Sequence, residues 1–194
     1  MKSLVNILDR ADLNFREEAR KAFVFLCKLG FSEIEALPTL LRYRKNGVEV
    51  DVYHGRNSFE IGAAITAFGT RYTISEIIRN VEPEFAKSYH YAIAITPEGV
   101  AESLKELSAL MKRYAKLALD GDPEFFSVLE KKRRSWSENY ALDVLAGQLR
   151  PKASEAFRNK EYAKAVELYS RIKDRLSPAE LKKLSIAERL LTRQ

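Results

Sequence analysis

The dipeptide Asn46-Gly47, inside the segment Leu40 to Thr66 (LLRYRKNGVEVDVYHGRNSFEIGAAIT), most narrows what this chain can fold into. A two-residue type I′ turn needs positive φ at both central positions, and Asn and Gly tolerate that best. Such a turn sets the register of its flanking strands: Lys45 opposite Val48, Arg44 opposite Glu49, Tyr43 opposite Val50, Arg42 opposite Asp51 and Leu41 opposite Val52. One face of the ribbon is then Leu41, Tyr43, Val48, Val50 and Val52, while the other pairs Arg42 with Asp51 and Arg44 with Glu49. The first face asks for a core and the second for water. After His54-Gly55-Arg56-Asn57 the alternation resumes with Phe59, Ile61, Ala63 and Ile65, and Ser32 to Ala36 ahead of Pro38 suits an edge strand. The expectation is an antiparallel meander of three to four strands. Exposed cross-strand charge pairs contribute only about 0.2–1 kcal/mol each, so helices must cover the apolar face.

The rest of the chain reads as helix. Phe15, Ala19, Ala22, Phe23 and Leu26 recur at helical spacing from Asn14 to Leu29, before Gly30. Gly69-Thr70-Arg71-Tyr72 reads as a turn into Thr73-Ile74-Ser75-Glu76, a capping box. Pro83 suits the first turn of a helix carrying Phe85, Tyr89 and Ile93, although Tyr89 to Thr96 alternates well enough to be a strand instead. Thr96-Pro97 marks the start of a long helix with Val100, Leu104, Leu107, Met111, Tyr114 and Ala118 on one face. It also marks the expected domain boundary: an α+β domain over residues 1–96 and a helical bundle over 97–194. Beyond Asp120-Gly121-Asp122-Pro123, a helix from Asp122 to Leu149 aligns Phe126, Leu129, Arg133, Trp136, Tyr140 and Val144, a stripe expected to pack against a neighbouring helix.

Charge and composition exclude little but exclude it clearly. The net charge of +6 is uneven: residues 1–96 carry 13 Lys and Arg against 12 Asp and Glu, and residues 97–194 carry 20 against 15. Apolar runs such as Ala22 to Cys27 fall far short of the roughly 20 residues of a membrane span, and no leader opens the chain, so a cytoplasmic location is expected. The single cysteine, Cys27, is expected to be a buried, inert thiol. Two histidines, His54 and His90, with no metal-ligand spacing, and eight scattered glycines give no support for a metal site, a phosphate loop or any cofactor.

In the stretch PKASEAFRNKEYAKAVELYSRIKDRLSP, the residues Phe157, Tyr162, Ala165, Tyr169 and Pro178 fall at the spacings of a tetratricopeptide repeat. Residues 150–178 therefore resemble one tetratricopeptide hairpin, departing from the pattern at Ser154, where glycine is usual, and at Arg150, where a large apolar residue is usual. The resemblance implies stacking on neighbouring helices and recognition of a protein or peptide in a groove, with Arg158 and Asn159 as groove residues. Pro151 and Glu155 stand where the carboxylate-clamp variant has basic and amide side chains. Residues 1–119, around LLRYRKNGVEVDVYHGRNSFEIG, are similar to small bacterial immunity-type proteins, which implies a role in blocking a partner.

These readings converge on a non-enzymatic protein that binds another protein with an acidic surface. Arg42, Arg44, Glu49, Asp51, His54, Arg56, Glu60, Arg158 and Asn159 are the candidate contacts. The alternative is a nucleic-acid-binding regulator in which Arg113 and Lys116 join Lys131, Lys132, Arg133 and Arg134 in a positive stripe. A third reading, a small hydrolase or transferase, would rest on His54 and Glu60.

Overall fold

The computed structural model describes residues 13–192 and shows an α+β protein. The chain divides into two compact units between Lys131 and Lys132. In the first, the antiparallel sheet comprises β1 (Ser32–Leu37), β2 (Leu40–Lys45), β3 (Val48–His54), β4 (Glu60–Ala67) and β5 (Thr70–Thr73), in that spatial order. A two-residue strand, β6 (Ala92–Ile93), pairs with the start of β4. Asn46 and Gly47 both have positive φ, 45° and 81°, and the β2–β3 register is the one the turn dictates, from Lys45 opposite Val48 to Leu41 opposite Val52. All five residues of the expected apolar face are buried, joined by Ile61, Ala63, Ile65 and Tyr72.

β5 occupies a segment that reads in the sequence as a turn. Its connection to β4 is a second tight turn, built on Phe68 and Gly69 at φ 52° and 77°. Phenylalanine is a poor residue for positive φ, so this turn has no sequence signature. The Phe68 ring rests edge-on against Phe126, 5.7 Å between centroids. The segment after β5 resolves the strand-or-helix ambiguity mostly into neither. Helix α4 (Pro83–Ala86) ends after one turn, and only Ala92 and Ile93 pair as strand.

Helices α1 (Phe15–Ala22), α2 (Val24–Lys28), α3 (Ile74–Val81) and α5 (Pro97–Tyr114) contact the sheet or one another. The helix expected from Asn14 to Leu29 is thus two, broken at Phe23, which leaves helical geometry at φ −100°, ψ 14° while its side chain is fully buried. The break turns Cys27 outward, and the expected buried thiol is exposed. Arg20 of α1 donates to both Glu33 carboxylate oxygens, at 2.9 and 2.7 Å, and holds that carboxyl below its ordinary pKa. Thr73 and Glu76 form the expected capping box of α3, and Thr96 caps α5. The Thr96-Pro97 break therefore opens a helix inside the first unit, where Val100, Leu104, Leu107 and Met111 are buried. After the short α6 (Lys116–Leu119), helix α7 (Pro123–Arg158) buries Phe125, Phe126 and Leu129 in this unit.

From Glu130 to Leu145 no residue of α7 is buried. The expected packing stripe stops at Leu129: Trp136 is half-buried, and Tyr140 and Val144 are 72% and 42% exposed. Polar residues surround this stretch, so no continuous apolar face is available to bury it. The helix also runs on through Pro151, where the sequence suggests a break. Proline removes one intrahelical hydrogen bond and its ring crowds the carbonyl four positions earlier, which here is that of Gly147. In the second unit, α7 shares one core with α8 (Tyr162–Ser170) and α9 (Pro178–Leu191), made of Ala146, Leu149, Ala153, Ala156, Ala165, Tyr169, Ile172 and Leu184 among others. Ser177 and Glu180 form a capping box at the start of α9.

The hairpin turn offers a clean test of backbone strain. Nothing lies within 4 Å of a Cβ built on Gly47, but its φ is +81°. Gly47→Ala is expected to lower stability by about 1–2 kcal/mol through conformation alone, measured by urea unfolding.

Candidate functional site

Alternation sends Arg42, Arg44, Glu49, Asp51 and Tyr53 to the sheet face opposite the apolar one, and the structure brings these candidates together there. Their charges engage each other. Arg42 donates to both oxygens of Asp51 (2.7 and 3.3 Å) and to Glu35 (2.8 Å), while Arg71 of β5 approaches Asp51 at 3.5 Å. Arg44 donates twice to Glu49, at 2.9 and 2.5 Å. Asp51, expected to face water, is only 7% exposed because these long side chains cover it at the middle of the sheet.

Beside this lattice lies a tyrosine cluster absent from the sequence reading. Tyr53 lies flat across Gly62, where an added Cβ would sit 2.5 Å from the ring. It carries the Arg71 guanidinium 5.4 Å above its centroid. The Tyr91 and Ser75 hydroxyls are 2.9 Å apart, and Tyr89 packs edge-on against Tyr91. Burial pushes the phenol of Tyr53 up to about 12 and that of Tyr89 up as well. The signal was present in the alternation itself, which sends Tyr53 outward and a small residue, Gly62, opposite it.

The same alternation sends His54 inward, and this corrects its candidacy as a partner contact. It is 1% exposed, set between Phe15 (6.0 Å) and Phe59 (5.8 Å), with Nε2 2.9 Å from the Ala94 carbonyl. Arg56 is exposed in the following loop and Glu60 is half-buried at the start of β4. The loop serves the backbone, since the Gly55 N–H donates to the Glu60 carbonyl at 2.8 Å. His54 and Glu60 thus point to opposite faces of adjacent strands. Among the described residues, no three His, Cys, Asp or Glu side chains gather as a metal site.

The basic candidates separate. Arg113 lies near the end of α5 and donates to Glu82 at 3.1 Å, and Lys116 is exposed on α6. Lys131 closes the first unit, and Lys132, Arg133 and Arg134 open the second. Lys131 and Arg134 are exposed, while Lys132 and Arg133 are half-buried. Arg158 and Asn159 are exposed at the end of α7. In the same unit Arg175 donates to Asp143 at 2.7 Å, and Arg150 pairs with Glu180 at 3.4 Å.

The fold defines the chain as an α+β protein with an antiparallel sheet, and among the described residues no helix is long and apolar enough to cross a membrane. Compared with family models, curated proteins and solved structures, the chain matches none.

Two measurements follow from the sheet. Arg42→Ala leaves the nearly buried Asp51 with one distant partner and is expected to cost about 1–3 kcal/mol in urea unfolding. Arg44→Ala, on an exposed pair, is expected to cost under about 1 kcal/mol. Tyr43 and Tyr53 both hold their protons to about 12 when folded, against about 10 in an unfolded chain. Their contribution to stability is complete below pH about 10 and is lost as pH rises through 12. A phenolate absorbance titration should show a late-titrating set that includes Tyr43, Tyr53 and Tyr89, and Tyr53→Phe should remove one group from it.

Proposed function

We propose that this chain works by binding another protein that presents an acidic surface, with the helical second unit carrying the contact. The location of the charge supports this reading. Residues 132–194 hold 15 Lys and Arg against 8 Asp and Glu, a balance of +7, whereas residues 1–131 hold 18 against 19, a balance of −1. A field of one sign on a small unit steers an oppositely charged partner and raises its association rate. The tetratricopeptide resemblance of residues 150–178 favours a protein as that partner, with Arg158 and Asn159 as contact residues. An immunity or antitoxin-like role is the concrete version: bound to its partner, the chain blocks it by occupying its surface, and catalyses nothing.

A second reading, nucleic-acid binding, is favoured by the density of Lys131-Lys132-Arg133-Arg134. The two separate on capture of partners by the tagged full chain in its native cells, with and without nuclease, at low and high salt. The expected result is a stoichiometric protein that survives nuclease, with recovery falling about tenfold in Arg158→Glu/Lys160→Glu. Nucleic acid lost on raising salt, with no protein retained, would replace the proposal with the second reading.

A further inference from the structure

The first unit, nearly neutral as a whole, gathers positive charge into one groove. Residues of α1 and α2 advance alongside those of α5 and α6. Lys21 and Ala22 line a cavity of about 650 Å³ with Lys105, Ser108, Ala109, Lys112 and Arg113. A second cavity of about 340 Å³ continues the line, between Phe25, Lys28 and Leu29 on one side and Lys112, Lys116, Leu119 and Asp120 on the other. Lys112 borders both, with its ammonium 4.9 Å from the centroid of the Phe25 ring. The buried Ser108 hydroxyl pins the floor by donating to the Ala22 carbonyl at 2.6 Å.

Six cations border this groove: Lys21, Lys28, Lys105, Lys112, Arg113 and Lys116. Three carboxylates answer them: Asp120 on the rim, Glu18 at 2.6 Å from Lys21 and Glu82 at 3.1 Å from Arg113. Lys28, Lys105, Lys112 and Lys116 have no ion-pair partner among the described residues. The last turns of α1, α2 and α5 lie along the groove, and each helix end supplies roughly half a negative charge, which offsets only part of the surplus. The groove is also partly apolar: Phe25 and Leu119 line it, and Leu29 stands 45% exposed.

We infer that this groove takes an acidic peptide segment with an apolar anchor. Its carboxylates meet Lys105, Lys112 and Lys116, and a Leu or Phe side chain enters between Phe25, Leu29 and Leu119. The mixture of charge and apolar surface selects a peptide over a nucleic-acid backbone, because phosphates gain nothing from the apolar half. The inference rests on the reading that the partner is a protein, but it uses a surface of the first unit.

The test is fluorescence anisotropy on the full chain. The main probe is a labelled Glu-rich peptide of roughly 14 residues with Leu residues one helical turn apart. Controls are the same peptide with Ala for Leu and a single-stranded oligonucleotide of equal charge. The Leu peptide should bind saturably, with about tenfold losses in Lys112→Glu and in Leu29→Ala and none in Lys182→Glu, at an exposed position outside the groove. No saturable binding, equal binding of the Ala peptide, or tighter binding of the oligonucleotide would each overturn the inference. Peptide binding that survives while native capture yields only nucleic acid would sink the proposed function and leave the groove standing; native protein capture without peptide binding would do the reverse.

Discussion

The pairing of β2 with β3 is the constraint on which the first unit rests. A slip of one residue would turn Leu41, Tyr43, Val50 and Val52 to the outward face and place Arg42, Arg44 and Asp51 beneath the helices. The Asn46-Gly47 turn forbids that slip, because its backbone geometry closes only on the Lys45–Val48 pair. With register settled, β4 adds Ile61, Ala63 and Ile65 to the same face, and the helices have one surface to cover. The outward face is settled at the same time, since Asp51 can meet Arg42 across the strand and Arg71 two strands away only in this alignment.

The second unit is held by a different device. Its core uses alanine at several positions of α7 and α8, with Ala146, Ala153, Ala156 and Ala165 all buried. Small residues let helices pack closely but bury little area each, so the unit depends on Tyr169, fully buried, and on Leu149, Ile172 and Leu184 for most of its apolar surface. Keeping large apolar groups few leaves the helix surfaces to lysine and arginine, which is how so short a segment comes to carry so much positive charge.

Features governed by local chemistry were legible in the sequence. The Asn46-Gly47 turn, the Thr73 and Thr96 caps and the apolar face of α5 each declare themselves within a few residues. What escaped depends on partners distant in sequence. Phe68 takes an unfavourable backbone conformation while resting on Phe126, and Pro151 remains helical above a glycine. His54 borders the polar loop Gly55, Arg56 and Asn57, which suggests an accessible side chain, yet the strand alternation places it inside. The outward charged lattice is legible pair by pair and so is the Tyr53–Gly62 pair, whereas Tyr89, Tyr91 and the basic groove bring in segments tens of residues away and leave no local pattern.

The outward turn of α2 carries a consequence for stoichiometry. Cys27 is the sole thiol in this sequence and it is exposed. Under oxidising conditions each chain therefore has one sulfur to offer, and one disulfide consumes it. Covalent association through cysteine stops at a pair of chains and cannot grow into a polymer, whatever the concentration.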